Sequence, residues 1–345
     1  MAHEIDTAAN GKARMFYAGE TPWHGLGQAV EKEVTAEAAI QLAELDWEVE
    51  LRDLYLGHRD ENGNEMLDSL VPNRKAVVRK DSGNFLGAVG TKYYPIQNRE
   101  IFSFLDEVVG EGQAVYHTAG SLRNGSRIFI TLKLPESMEI GPDKIDKYLV
   151  FMAGHDGTMS VHGKWTPVRV VCMNTASAAF EGNTDRRINS DIKIRHTPNY
   201  REKISLARDA LGLANAYYKQ AEEVFNRLLD KPISDINMHK FVGDLFPGEI
   251  QEDDTYKITK GIQKNRDKVE VLFHEGIGQN AVANTGWAAY NAVTEYVDHH
   301  RGSRVREGQN AKDVRFDSIM VGAGEELRQQ AMNLLLSDIP ISTRV

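Results

Sequence analysis

The sequence predicts an α+β fold, an antiparallel, hairpin-rich sheet with packed helices followed by a mostly helical C-terminal part. Two observations predict it. Four two-residue turns, Asn62-Gly63, Ser82-Gly83, Asn124-Gly125 and Asp156-Gly157, separate strand-like runs in the first half. Such pairs accept positive φ at little cost and suit the hairpin turns that match strand twist. After Pro198 the apolar period becomes helical, so strands come first and helices last.

Taken in order, "TAEAAIQLAEL" is an alanine-rich helix with Thr35 as its N-cap. "KAVVRKDSGNFLGAVG" reads as a hairpin about Ser82-Gly83. "NREIFSFLDEVVG" is a helix from Asn98 to Gly110, with Ile101, Leu105 and Val108 on its buried stripe. "SLRNGSRIFITLKL" is the clearest hairpin, with Phe129 flanked by Ile128 and Ile130. "KYLVFMAGHDGTMSVHG" follows the same pattern, which gives six or more strands. Beyond Pro198, a long helix is expected up to Pro232, with Leu206, Ala210, Leu213 and Tyr217 at helical spacing. "ISDINMHKFVGDLF", "DTYKITKGIQKNRDKVEVLFHE", "GWAAYNAVTEYVDHH" and "GEELRQQAMNLLLSD" predict further helices, the third of them half-buried and amphipathic. The expected division is a flexible N-terminal segment at 1–20, a hairpin-rich α+β domain at 21–197 and a helical domain at 198–345.

The 345 residues are 41% hydrophobic and 26% charged, enough apolar content for a sizeable core. No apolar run reaches the roughly 18 to 20 residues that a membrane span needs. The N-terminus lacks the basic-then-apolar order of a signal peptide. One cysteine, Cys172, excludes an internal disulfide and fits a reducing compartment, so the expected location is the cytoplasm. No motif calls for a cofactor: "VGAGEEL" lacks the third glycine of a dinucleotide loop, and "PWHGLGQAV" lacks phosphate-loop spacing.

Charge is unevenly spread. The total is −9, yet from Ser160 to Arg208 nine Lys and Arg stand against four acids, a local +5. Extended backbone sharpens the asymmetry. In "DIKIRH", Ile192 and Ile194 share one side and Lys193 and Arg195 the other, the two cations about 6.6 Å apart. Arg169 lies between Val168 and Val170 with the opposite phase. Arg186 and Arg187 sit in a polar loop, and Trp165 adds a flat ring. Cations with an occasional aromatic suit a single strand of nucleic acid, whose phosphates need positive charge and whose bases need stacking partners. The candidate contacts are Lys164, Trp165, Arg169, Arg186, Arg187, Lys193, Arg195 and Arg201. Intramolecular ion pairs are the competing role for these cations.

"GHDGTMSVHG" raises metal chemistry through His155, Asp156 and His162, with Cys172 nearby in sequence. A two-residue turn at Asp156-Gly157 would pair His162 with Phe151. It would set the two histidines roughly 13 Å apart, too far for zinc bonds near 2 Å. Cys172 as a nucleophile lacks an evident base and suits a small buried side chain.

"PWHGLG", "LGAVGTKYYPIQNREIFSFLD", "TAGSLRNGSRIFI", "YLVFMAGHDGTMSV", "TPVRVVCMNT", "RHT" and "GWAAYNAVTEYVDHH" together resemble an uncharacterised family of phage- and plasmid-borne proteins. The resemblance spans about Pro22 to Ala331 and implies a mobile-element origin and a bacterial host cytoplasm. It supplies no catalytic residues. The order of hairpins and helices with a basic surface is also similar in architecture to phage single-strand annealing proteins, which implies oligomeric rings or filaments. The leading expectation is therefore a protein that binds single-stranded DNA or RNA, anneals it, and forms a homo-oligomer without enzymatic turnover. Two alternatives stand beside it. One is a histidine-centred, metal-dependent enzyme using His155, Asp156, His162 and His196. The other is a structural or host-interaction protein of a mobile element.

Overall fold

The structure, a computed structural model, describes residues 5–7, 11–18, 27–30, 34–110, 114–169, 174–175, 191–202, 214–250, 256–302, 318 and 322–337. In chain order the elements begin with β1 (Met15–Ala18), β2 (Gln28–Val30) and α1 (Ala36–Leu42). Then come β3 (Val49–Arg59), β4 (Glu65–Arg79), β5 (Phe85–Gly90) and α2 (Asn98–Gly110). The next run is β6 (Val115–Leu122), β7 (Arg127–Lys133), β8 (Met138–Ile140), β9 (Asp143–Gly154), β10 (Val161–Arg169), β11 (Asn174–Thr175) and β12 (Asp191–Ile194). The C-terminal part holds α3 (Ala214–Leu229), α4 (Asp235–Leu245), β13 (Glu249–Ile250), β14 (Tyr256–Lys257), α5 (Lys260–Glu275), α6 (Gly286–Glu295) and α7 (Ala323–Leu336). The fold is α+β with mainly antiparallel sheets, as the turn pattern predicts.

The main sheet has nine strands, ordered β11-β10-β9-β7-β6-β1-β2, with β12 also on β10 and β8 on β9. Its pairs are antiparallel except β1 with β2. A second sheet is β3-β4-β5. The predicted glycines turn the chain where expected: Gly63, Gly83, Gly125 and Gly157 all have positive φ. Asp6 braces one of these turns, its carboxylate accepting from Asn124 N and Gly125 N, each at 2.7 Å.

Thr35 caps α1 as expected, accepting from Ala38 N at 3.3 Å. Ser234, Thr259 and Thr285 cap α4, α5 and α6 in the same way. α2 runs from Asn98 to Gly110 as predicted. Of the long helix expected before Pro232, Ala214–Leu229 is helical; 203–213 lies outside the described residues. The segment 1–20, expected to be flexible, contains β1. Its apolar run "MFYA" buries Met15, Phe16 and Tyr17 and pairs with β6.

One apolar core runs from Phe16 to Leu335 and draws side chains from both sides of Pro198. Polar contacts tie the helical part to the sheet, among them Trp287 Nε1 donating to Asp143 Oδ2 at 2.7 Å and Tyr218 Oη donating to the Tyr148 carbonyl at 2.6 Å. α6 departs from the half-buried helix expected: all ten of its residues are buried. Alanines on its sides let α3, α5 and α7 close around it. Among the described residues no helix is long and apolar enough to cross a membrane.

Candidate nucleic-acid interface

Strand alternation gives the main sheet two unlike faces. Ile128, Ile130 and Leu132 of β7, Leu149 and Phe151 of β9, and Val161 and Trp165 of β10 enter the core. Their neighbours form the opposite face. Cross-strand register sets Phe129, Met152, His162 and Lys193 in one row over β7, β9, β10 and β12. The next row is Thr131, Val150, Lys164 and Asp191. Tyr148, Val150 and Met152 make a small second apolar cluster, all three buried, with the partly buried Phe129 and Met159 packed on it. Phe129 and His162 are half-buried, and Lys193 is exposed.

Sequence fixes this geometry locally. "RIFITLK" alternates strictly, so burying its isoleucines turns Phe129, Thr131 and Lys133 outward. Gly120, opposite Phe129 on β6, leaves room for that ring: a Cβ there would meet Phe129 Cε1 at 3.0 Å and the Arg14 carbonyl at 2.9 Å. At the end of the face, His117 packs edge-on to Tyr148 with ring centroids 5.1 Å apart. Lys133 Nζ lies 5.9 Å from the Tyr148 ring and 2.5 Å from Asp146 Oδ2.

The predicted contacts divide. Lys193 and Arg195 are exposed while Ile194 between them is buried, the phase expected of β12. Arg201 is exposed, and its guanidinium bonds Glu100 Oε1 at 3.1 Å and Tyr200 Oη at 2.9 Å. Lys164 ion-pairs with Glu325 of α7, so its charge is already matched. Trp165 is 3% exposed and packs edge-on to Tyr218 in the core, which corrects its expected stacking role. The reason is the two-residue period: neighbours in a strand face opposite ways, so Trp165 cannot share the Lys164 face. Arg169 lies opposite Ile145 and Asn174; its side chain, like Arg186, Arg187 and Cys172, lies outside the described residues.

Of the histidine constellation, His155, Asp156 and His196 lie near one another, and His162 does not join them. The β9–β10 connection spans 155–160, and His162 pairs with Met152 rather than the expected Phe151, because the turn is longer than two residues. His155 is fully buried, with Nε2 2.8 Å from Asn98 Oδ1 and its ring 5.3 Å from that of Trp47. His162 belongs to the opposite face of the sheet. His196 stacks on Tyr93 at 4.8 Å. Among the described residues no three His, Cys, Asp or Glu side chains lie close enough to hold a metal ion. The "HDG" turn has a packing role instead. A Cβ at Gly87 would lie 2.3 Å from the Asp156 carbonyl, so the turn presses on β5.

Burial keeps these imidazoles neutral. Desolvation, with His196 and Arg79 nearby, lowers the His155 pKa to about 3. Desolvation, with Lys133 adding to it, lowers His117 to about 4. Desolvation lowers His196 to about 4 against the opposing Tyr94 and Met159 carbonyls and Asp156. Between those values and the ordinary 6.5, the unfolded chain binds more protons than the folded one, so stability rises with pH. It is complete above about pH 6.5 and falls as pH drops towards 4, by about 1.4 kcal/mol per pH unit for each group. Urea unfolding at pH 7 and pH 5 should reveal the loss, and His155→Gln should shrink it. An equal loss in that variant would remove His155 from the account.

A family model described as "Domain of unknown function (DUF932)" matches residues 85–320. The chain belongs to the DUF932 family. The match covers β5 through the approach to α7, so it takes in the sheet face just described and the buried helix α6. No curated protein and no solved structure matches this DUF932 chain.

Proposed function

We propose that this DUF932 protein holds single-stranded nucleic acid along the β12 edge of its nine-stranded sheet and the half-buried rings beside it, and serves strand annealing on a mobile element as a homo-oligomer. The row Phe129–Met152–His162–Lys193, followed by Arg195, carries the reading. It sets the half-buried rings of Phe129 and His162, seated on buried Met152, in line with the exposed cation at the edge, across three strand spacings or about 14 Å. Bases stack on rings without regard to sequence, and phosphates meet the cations at the edge. The chain's acidity of −9 is compatible with this because the positive charge is local.

The test is fluorescence anisotropy with a labelled single-stranded oligonucleotide over a salt series. Joint Lys193→Glu and Arg195→Glu substitution should weaken binding and flatten the log–log salt slope by about 1.4, at roughly 0.7 per phosphate contact on a single strand. Phe129→Ala should weaken binding about 5- to 150-fold through one lost stacking partner, at roughly 1–3 kcal/mol per base, with the salt slope unchanged. Equal affinity and slope in all three proteins would reject the interface.

A further inference from the structure

The three-stranded sheet carries an arm that extends past β5 and exposes large apolar side chains. β5 supports β4 only from Arg74 to Val78. Beyond that point β3 and β4 continue as a bare hairpin, with Tyr55 paired to Leu70 and Arg59 to Glu65. A lone two-stranded ribbon is marginal in water. This one is also apolar, with Tyr55, Leu56, Met66 and Leu70 exposed by 49%, 59%, 49% and 50%. The outer edge of β3 runs for 11 residues, and among the described strands it pairs only with β4. Both irregularities between the strands put the extra residues on β4: 71–74 stand against Leu54 alone, and 68 is added between Ser69 and Leu67. The free edge of β3 is therefore continuous, a ready template for strand addition.

We propose that this edge pairs with the same edge of a second copy of the chain, antiparallel about a two-fold axis at Leu56. Charge pattern selects the partner and the register. With Leu56 on the axis, Asp53 faces Arg59 of the second copy, twice by symmetry, so that the exposed Asp53–Lys75 and Arg59–Glu65 pairs of each chain join into one alternating-charge network across the seam. Leu56 meets its own copy at the centre, and the two sheets join into one of six strands. Opposite charges directly across a strand pair stabilise it, and like charges would oppose it. An isologous contact of this kind closes as a dimer. The inference uses no residue of the proposed nucleic-acid face, and shares with that reading only the homo-oligomer, for which it names the contact.

Sedimentation of the full chain at tens of micromolar tests it. The expected mass is about 77 kDa, twice the 38.6 kDa of one chain. Leu56→Lys, which sets two ammonium groups against each other on the axis, should return 38.6 kDa with an unchanged circular dichroism spectrum. In a Cys172→Ser background, Leu56→Cys should give a covalent dimer on mild oxidation, because directly opposed residues bring Cα atoms to about 4.5–5.5 Å. Leu70→Cys should give none. A wild-type chain that sediments as a monomer, an assembly that Leu56→Lys leaves intact, or cross-linking at position 70 but not 56 would each overturn the proposal.

Discussion

Trp287→Ala is expected to be the most destabilising single substitution in the protein. Trp287 is fully buried in α6, packed against Phe225 with ring centroids 4.7 Å apart and against Tyr290 at 6.0 Å. Removing a ring of that size from a core costs about 3–5 kcal/mol. Its indole also donates to Asp143, which is 2% exposed at the start of β9. The carboxylate would lose that donor without gaining water, adding about 1–3 kcal/mol. Against a total stability of about 5–15 kcal/mol, the variant should be marginal. Trp287→Phe separates the two contributions, since it keeps most of the volume and loses only the hydrogen bond. Urea unfolding followed by circular dichroism should rank wild type above Trp287→Phe and that variant above Trp287→Ala. Near-equal midpoints for all three would mean that α6 does not anchor the helical part on the sheet.

The second large effect is electrostatic. Arg328 of α7 is 1% exposed and holds Asp298 Oδ1 at 2.6 Å and Glu325 Oε2 at 2.8 Å. Burial opposes its charge, but Asp298 and Glu325 outweigh burial and raise its pKa. Glu325 shows the converse: burial raises it, and the stronger attraction of Arg328 and Lys164 leaves it lowered. Arg328→Ala leaves two carboxylates in a buried site and should cost about 3–5 kcal/mol. Lysine should not rescue it, because one ammonium cannot reproduce the planar fork that reaches both acids. The deficit should also shrink as pH falls towards 4, when the stranded carboxylates take up protons and lose their charge. A deficit that stays constant from pH 7 to pH 4 would contradict the ion-pair explanation.

Much of the fold is legible in the sequence because it is written locally. Thr35, Asn98 and Gly110 mark helix ends that hold in the structure. Gly63, Gly83 and Gly125 mark turns between strands that pair. Phe129 was equally readable, since the alternation that buries Ile128 and Ile130 must turn it to the other face. The same alternation separates Lys164 from Trp165, although composition alone groups them. What sequence could not give is contact between distant segments. Lys164 meets Glu325 across 161 positions, and His155 meets Asn98 across 57. Neither partner is marked by spacing or residue type. The full burial of α6 was only partly legible: "GWAAYNAV" is apolar on nearly every side, a pattern that fits a core helix as well as a surface one.

The most direct measurement is photochemical. A single-stranded oligonucleotide carrying photoreactive bases is irradiated with the wild-type protein, and the attached residues are located by mass spectrometry. The account predicts adducts on β7, β10 and β12, centred on Phe129, His162 and Lys193 and quenched by rising salt. Adducts confined to the helices after Pro198, or none at concentrations where binding is saturated, would contradict it.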